Sequence, residues 1–199
     1  MRPILAAILV ATMATITTAI PPAVPMRAPS KRALPPTTPP ANTITTLSKV
    51  GKPGQIGVVL DSDNYCIFLP PEEGGDIAAN EDRAVAFCNK PNMPGAPKAR
   101  VLPEGFIQSV HFFSNTQKNY VQITGRFDRT KYGLSAKDGG GQYDMRAPVG
   151  AACNGYNAFV QLTEPDEQIY CIRCCKNKAD CPVNRSTQGC VRVLGGDYS

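Results

Sequence analysis

The sequence predicts a mainly β protein: a single disulfide-stabilised β-sandwich or barrel-like domain, with short helices and long loops, over residues 56–199. Three observations predict it. Short apolar runs recur along this region, each bounded by Pro, Gly, Asn or Asp, which is the pattern of strands joined by turns. No stretch keeps a helical apolar period beyond about two or three turns. All eight cysteines, at 66, 88, 153, 171, 174, 175, 181 and 190, lie here, and an even number suits a disulfide framework that reinforces a core.

The elements follow in order. "IGVVLDSDNYCIFLPP" holds two apolar runs split by the turn signal "DSDN". Pro70-Pro71 ends the second, because Pro cannot donate to a sheet ladder. "EEGGDIAANEDRAVAFC" reads as a short helix or a loop, and "NKPNMPGAPKARVLPEG" as a proline-rich loop beside Cys88. "FIQSVHFFSN" and "NYVQITGRFDR" form a hairpin around "SNTQKN". In the second arm, Val121, Ile123 and Phe127 share one face and Gln122, Thr124 and Arg126 the other, so a half-buried strand is expected. "KYGLSAKDGGGQYD" reads as a glycine-rich loop. "YNAFVQLTEPD", "QIYCIRCC" and "GCVRVLGGD" supply the last short runs, for six or seven strands in all, as a sandwich or barrel requires.

Cys66 and Cys88 stand apart from the rest and are expected to pair, closing a loop worth about 3 kcal/mol. In an extended run, side chains alternate. Cys174 and Cys175 then point opposite ways, while Cys171 and Cys175 share a face. The vicinal pair is expected to serve two bridges, with partners among Cys153, Cys181 and Cys190. The full pairing stays open, because four bridges allow many connectivities.

The chain begins "MRPILAAILVATMATITTAIPPA". Arg2, an apolar run too short and Thr-diluted to span a bilayer, and a small-residue exit make a signal peptide over 1–19, cut after Ala19 with Ala23 as the alternative. Residues 20–55 are Pro/Thr-rich and aperiodic, so a disordered pro-segment or stalk is expected. Lys31-Arg32 within it forms a candidate dibasic processing site. The closing "VRVLGGDYS" is not the hydrophobic tail of a glycolipid anchor. The chain is therefore expected to be secreted and not membrane-spanning. Its net charge of +5 is concentrated at the start: Arg2, Arg27, Lys31 and Arg32 fall in the first 32 residues, which hold no Asp or Glu. Without them 17 basic residues face 16 acidic ones. With no basic stripe, nucleic acid is not an expected partner.

Candidate chemistry is sparse. The single histidine, His111, excludes a multi-His zinc site and reads as a partly buried structural residue. Cys171-x-x-Cys174 with Cys181 and Cys190 has thiolate spacing for zinc, but secretion favours oxidation. Asp128, Asp138 and Asp144 around "DGGG" lack the alternating ligands of a calcium loop. No metal and no cofactor are expected. Four acidic pairs, Asp61/Asp63, Glu72/Glu73, Glu81/Asp82 and Glu164/Asp166, are available for glycoside hydrolysis, yet nothing in the sequence selects one. Asn184-Arg185-Ser186 is an N-glycosylation sequon in a polar loop.

Several stretches taken together, "YCIFLPPEEGGDIAANEDRAVAFC", "GFIQSVHFF", "YVQITGRFDRTKYGLSAKDGGGQYD", "FVQLTEPDEQIYCIRCC" and "STQGCVRVLGGDYS", resemble a group of fungal secreted cysteine-rich proteins. Some of that group carry the label macrophage activating glycoprotein. The resemblance spans Asp61 to Ser199 and implies an extracellular, glycosylated protein of fungal type, with no catalytic residues to carry over. The expected function is that of a secreted, non-enzymatic extracellular or cell-wall-associated protein. Its partner would be a cell-wall polysaccharide or another extracellular protein. The alternative is a small secreted hydrolase using a carboxylate pair.

Overall fold

The computed structural model describes residues 52–199. The expected signal peptide, most of the expected stalk and the Lys31-Arg32 pair lie outside the described residues. The elements run β1 (Ile56–Gly57), β2 (Val59–Asp61), β3 (Asn64–Leu69), β4 (Val85–Cys88), β5 (Arg100–Val101), β6 (His111–Asn115), β7 (Tyr120–Arg126), β8 (Gly141–Asp144), β9 (Ala152–Cys153), β10 (Ala158–Glu164), β11 (Ile169–Cys175) and α1 (Gly189–Val193). They form a five-stranded sheet ordered β6-β7-β11-β10-β8, a four-stranded sheet ordered β2-β3-β4-β5 and a two-stranded pair β1-β9. The protein is mainly β, as its sequence predicts, and no closed barrel forms among the described residues.

The hairpin around "SNTQKN" is β6-β7, closed by the pair Asn115 and Tyr120. "DSDN" turns β2 into β3, where the Asp61 carboxylate accepts from the Asp63 backbone N–H (2.8 Å). Three expectations need correction. Among the described residues eleven strands are present rather than six or seven: β1, β5 and β9 are two-residue pieces too short to carry a period, and β8 lies in a stretch read as a loop. "GCVRVLGGD", read as a strand, is α1: Cys190 is tied by its disulfide to Cys171, and the five residues wind one helical turn above the sheet. "KYGLSAKDGGGQYD" ends in β8, an edge strand of four buried residues. Gly140 makes that possible. It sits at φ +86° with its missing Cβ directed at the Thr163 carbonyl, a placement closed to other residues.

Alternation divides the five-stranded sheet into two faces. One carries Val121, Ile123, Tyr143, Phe159, Tyr170, Ile172 and Cys174, packed with Tyr65, Ile67, Phe68 and Leu69 of β3 and Phe87 of β4 in the main core. Phe68 and Phe159 stack with ring centroids 4.9 Å apart. Burying such a side chain contributes about 1.5–3 kcal/mol. Two polar side chains of β10, Gln161 and Thr163, are fully buried on this face, and Gln161 Nε2 donates to Thr163 Oγ1 at 3.0 Å. Gln161 is fully buried, accepts from the Phe68 N–H at 2.7 Å and donates to the Phe68 carbonyl at 2.6 Å.

The other face carries Thr124, Gln122 and Tyr120 on β7, Cys171, Arg173 and Cys175 on β11, and Leu162, Val160 and Ala158 on β10, in ladder register. Residues 176–199 fold back over it. Cys175 bonds Cys181, and Cys171 bonds Cys190. The half-burial expected of β7 therefore holds only at Arg126, which is exposed: Gln122 and Thr124 are buried like their apolar neighbours. Period-2 polarity marks a change of environment between faces, and here the second environment is a polypeptide cap instead of water.

Candidate functional site

After Leu194 the chain crosses the open side of β7 as an extended strap. Gly196 takes φ +111°, and a Cβ there would meet Thr124 Cγ2 at 2.8 Å, so only glycine lets the strap lie this close. Four side chains from three adjacent strands hold it by its backbone carbonyls. Thr124 Oγ1 donates to the Asp197 carbonyl at 2.6 Å. Gln122 Nε2 reaches the carbonyls of Leu194 (3.4 Å) and Gly195 (3.3 Å). Arg173 Nη2 donates to the Leu194 carbonyl at 3.1 Å, and His111 Nε2 lies 3.1 Å from the Ser199 carbonyl.

Between this strap and β6 lies a cavity of about 420 Å³, bordered by His111, Phe113, Tyr120, Gln122, Arg173 and Asp197 among others. This is within the size range of a small-ligand site. Its outer wall is aromatic: Phe113 is 51% exposed on the edge strand β6, with its ring centroid 6.0 Å from that of Tyr120. Its inner wall is Arg173, whose Cζ stands 4.3 Å from the Tyr120 ring centroid, a cation–π distance. Arg173 Nε donates to Gln122 Oε1 (2.8 Å) and Nη1 to the Asp180 carbonyl (3.0 Å). Burial pulls the Arg173 pKa below its ordinary value, while Tyr120 and Asp180 oppose that pull. At the rim, Asp197 accepts from the Ser199 N–H at 2.9 Å and stands 3.5 Å from His111 Nδ1. The bonds from Ser199, and then the neighbouring His111, hold its carboxyl below the usual range.

All eight cysteines are in disulfides: Cys66–Cys88, Cys153–Cys174, Cys171–Cys190 and Cys175–Cys181. Cys174 and Cys175 leave β11 on opposite faces, and Cys171 and Cys175 share one. Asp128, Asp138 and Asp144 do not converge. Asp128 caps a turn at the Thr130 N–H, Asp138 accepts from the backbone of Ile77 (2.9 Å) and Gly140 (2.8 Å), and Asp144 accepts from the Arg146 N–H (2.7 Å). Among the described residues no group of three or more His, Cys, Asp or Glu side chains is placed to hold a metal. Of the four acidic pairs, Asp63, Glu72, Glu73, Glu81, Asp82 and Asp166 are exposed. Glu164 is half-buried and accepts from the Cys190 N–H at 2.7 Å. Burial raises its pKa against the pull of that bond. Asn184 is exposed, and its Oδ1 accepts from Arg146 Nη1 at 3.2 Å.

His111 is thus the one singled-out residue that reaches the cavity. The sequence reading places Gln122 on the polar face of its strand and gives no role to Arg173, Tyr120 or Phe113. A signal for them does exist: Arg173 is the sole charge in the buried run "IYCIRCC" and stands in register with Gln122. A charge inside such a run marks a sheet face whose cover supplies acceptors.

Compared with known proteins, the chain is 28% identical over 152 residues to appressorium protein ROW2 of the fungus Mycosarcoma maydis, a match covering 64% of this chain and 49% of that protein. It is 27% identical over 155 residues to appressorium protein ROW1 of the same fungus, covering 68% of this chain and 35% of that protein. The chain spans between a third and a half of the length of these relatives. No family model matches it, and no solved structure does. The relatives are fungal, and four disulfides make this a cysteine-rich protein of the kind found outside the cell. The macrophage-activating label of the resembling group attaches to neither relative. No helix among the described residues is long and apolar enough to cross a membrane.

Proposed function

We propose that this chain is a secreted, non-enzymatic fungal protein that acts outside the cell, free or held in the wall, by binding a cell-wall polysaccharide or another extracellular partner. One observation carries the reading: a formed, aromatic-walled cavity on a sheet clamped by disulfides. A site whose walls are already ordered loses little entropy on binding. The hydrolase alternative draws on Glu164, whose raised pKa suits a general acid. Its carboxylate, however, is occupied by the Cys190 N–H and does not line the cavity.

The reading includes cleavage of residues 1–19, processing near Lys31-Arg32 and a glycan on Asn184, supported there by the exposure of that side chain. A pull-down of the secreted protein on a panel of cell-wall polysaccharides tests the function. Saturable retention without released product is expected. Turnover abolished by a single Asp or Glu substitution would replace this reading with the hydrolase.

A further inference from the structure

The two charged side chains at the cavity, Asp197 and Arg173, differ in their direct partners. Asp197, at the rim, is matched by His111 and by the Ser199 N–H. Arg173, in the wall, forms no ion pair with a carboxylate among the described residues; its three protein partners are neutral oxygens. A guanidinium has five N–H donors, so two are left over. This cation is half-buried against Tyr120, with Asp180 acting on it only at longer range, and a buried charge with no carboxylate in contact costs more than in water. Above it stand the open Phe113 ring and the Tyr120 ring.

We infer that the cavity binds the acidic sugar unit of a polyuronate. Its carboxylate would meet the free N–H groups of Arg173, and the C–H face of its ring would lie on Phe113. A planar fork is the geometry that engages a carboxylate through two parallel bonds. An exposed aromatic ring supplies the flat apolar surface that a pyranose face covers. The neutral oxygens already on Arg173 fix its plane before the ligand arrives, so the fork is preorganised.

The inference rests on the polysaccharide-binding reading and adds the ligand's charge and position. Calorimetric titration of the folded, disulfide-intact protein with tetragalacturonate, tetraglucuronate and neutral cellotetraose tests it. Saturable binding of one or both acidic tetramers is expected, and which of them binds distinguishes a galacturonan from a glucuronan source. Phe113→Ala and Arg173→Lys should each weaken binding at least about tenfold, the lysine keeping the charge and losing the fork. Raising salt to about 0.5 M should weaken it as well. Phe113 is exposed, so Phe113→Ala decides the matter if Arg173→Lys melts early. Equal binding of cellotetraose, acidic binding unchanged in Phe113→Ala, or competition by inorganic phosphate as strong as by the sugar acid would each overturn the inference. Retention on whole cell-wall polysaccharide without binding of the acidic tetramers overturns it while leaving the broader reading standing. No retention on any polysaccharide removes that reading itself.

Discussion

The two faces of the five-stranded sheet solve the same problem by different means. The face toward β3 and β4 is covered by another sheet, and side chains alone fill the gap, with Phe68 stacked on Phe159 at its centre. The face toward residues 176–199 is covered by chain with little regular structure. Two of the four disulfides lie there, and side chains of the sheet hydrogen-bond to carbonyls of the cover. A second sheet satisfies most of its own backbone, so its partner face can be largely apolar, with Phe68 alone served across the gap by Gln161. An irregular cover leaves carbonyls over, and a buried carbonyl must find a donor. Gln122, Thr124 and Arg173 are those donors, and they define the cavity as a by-product.

The sharpest way to break this contrast is to open the apolar face. Phe159→Ala removes a fully buried ring and should cost about 3–5 kcal/mol in urea unfolding, with cooperative loss of the whole domain. Opening the capped face should be smaller and local. Cys171→Ala with Cys190→Ala removes a bridge of sequence separation 19 and should cost about 3 kcal/mol. Amide exchange should then rise across residues 176–199 before it rises in β10 and β7. Simultaneous loss everywhere would show that the cap and the core are one unit.

Thr124→Val keeps the shape and removes the bond to the Asp197 carbonyl. A cost of about 1 kcal/mol is expected, with faster exchange confined to the strap. The smallest effect belongs to Glu164→Gln, which keeps an acceptor for the Cys190 N–H and discards the charge. The folded state raises the Glu164 pKa, so the folded protein holds this proton more tightly than the unfolded chain does. That contribution is absent well below the ordinary carboxylate value and becomes a penalty as pH rises through the folded value. Glu164→Gln should therefore raise the Tm at pH 7 and leave it almost unchanged near pH 4. A larger gain at pH 4 than at pH 7 would reverse the assignment.

The same contrast explains what the sequence discloses. The apolar face is legible because its cause is local: alternation in β7 and the run through β3 write the inner positions directly. The opposite face is not, since nothing near Gln122 reveals that residues 194–197, some seventy positions later, will return to cover it. Gln122 and Thr124 therefore read as solvent-facing. The cysteines bridge the two cases. Their alternation on β11 is readable and sends Cys174 away from Cys171 and Cys175, but α1, which one of those bridges holds against the sheet, looks like one more strand. His111 was visible as a lone histidine, while its meeting with Asp197 and Ser199 required the strap. The cavity belongs to the part of the fold built from distant pairs, and so escapes a reading by periods.

Gln161 has a consequence for alignment. Apolar sheets packed face to face resemble two greased plates: shifting one by a pleat trades one set of contacts for a similar set. The Gln161 amide, bonded to both the N–H and the C=O of Phe68, is a key cut for a single residue 93 positions away. Any displaced arrangement leaves the amide oxygen buried and unmatched, and leaves the Nε2 group only the Thr163 hydroxyl at 3.0 Å on its own strand, a penalty that apolar substitutions elsewhere cannot mask. One glutamine thus supplies the address at which two otherwise interchangeable surfaces dock, and it selects one packing among many of nearly equal hydrophobic worth.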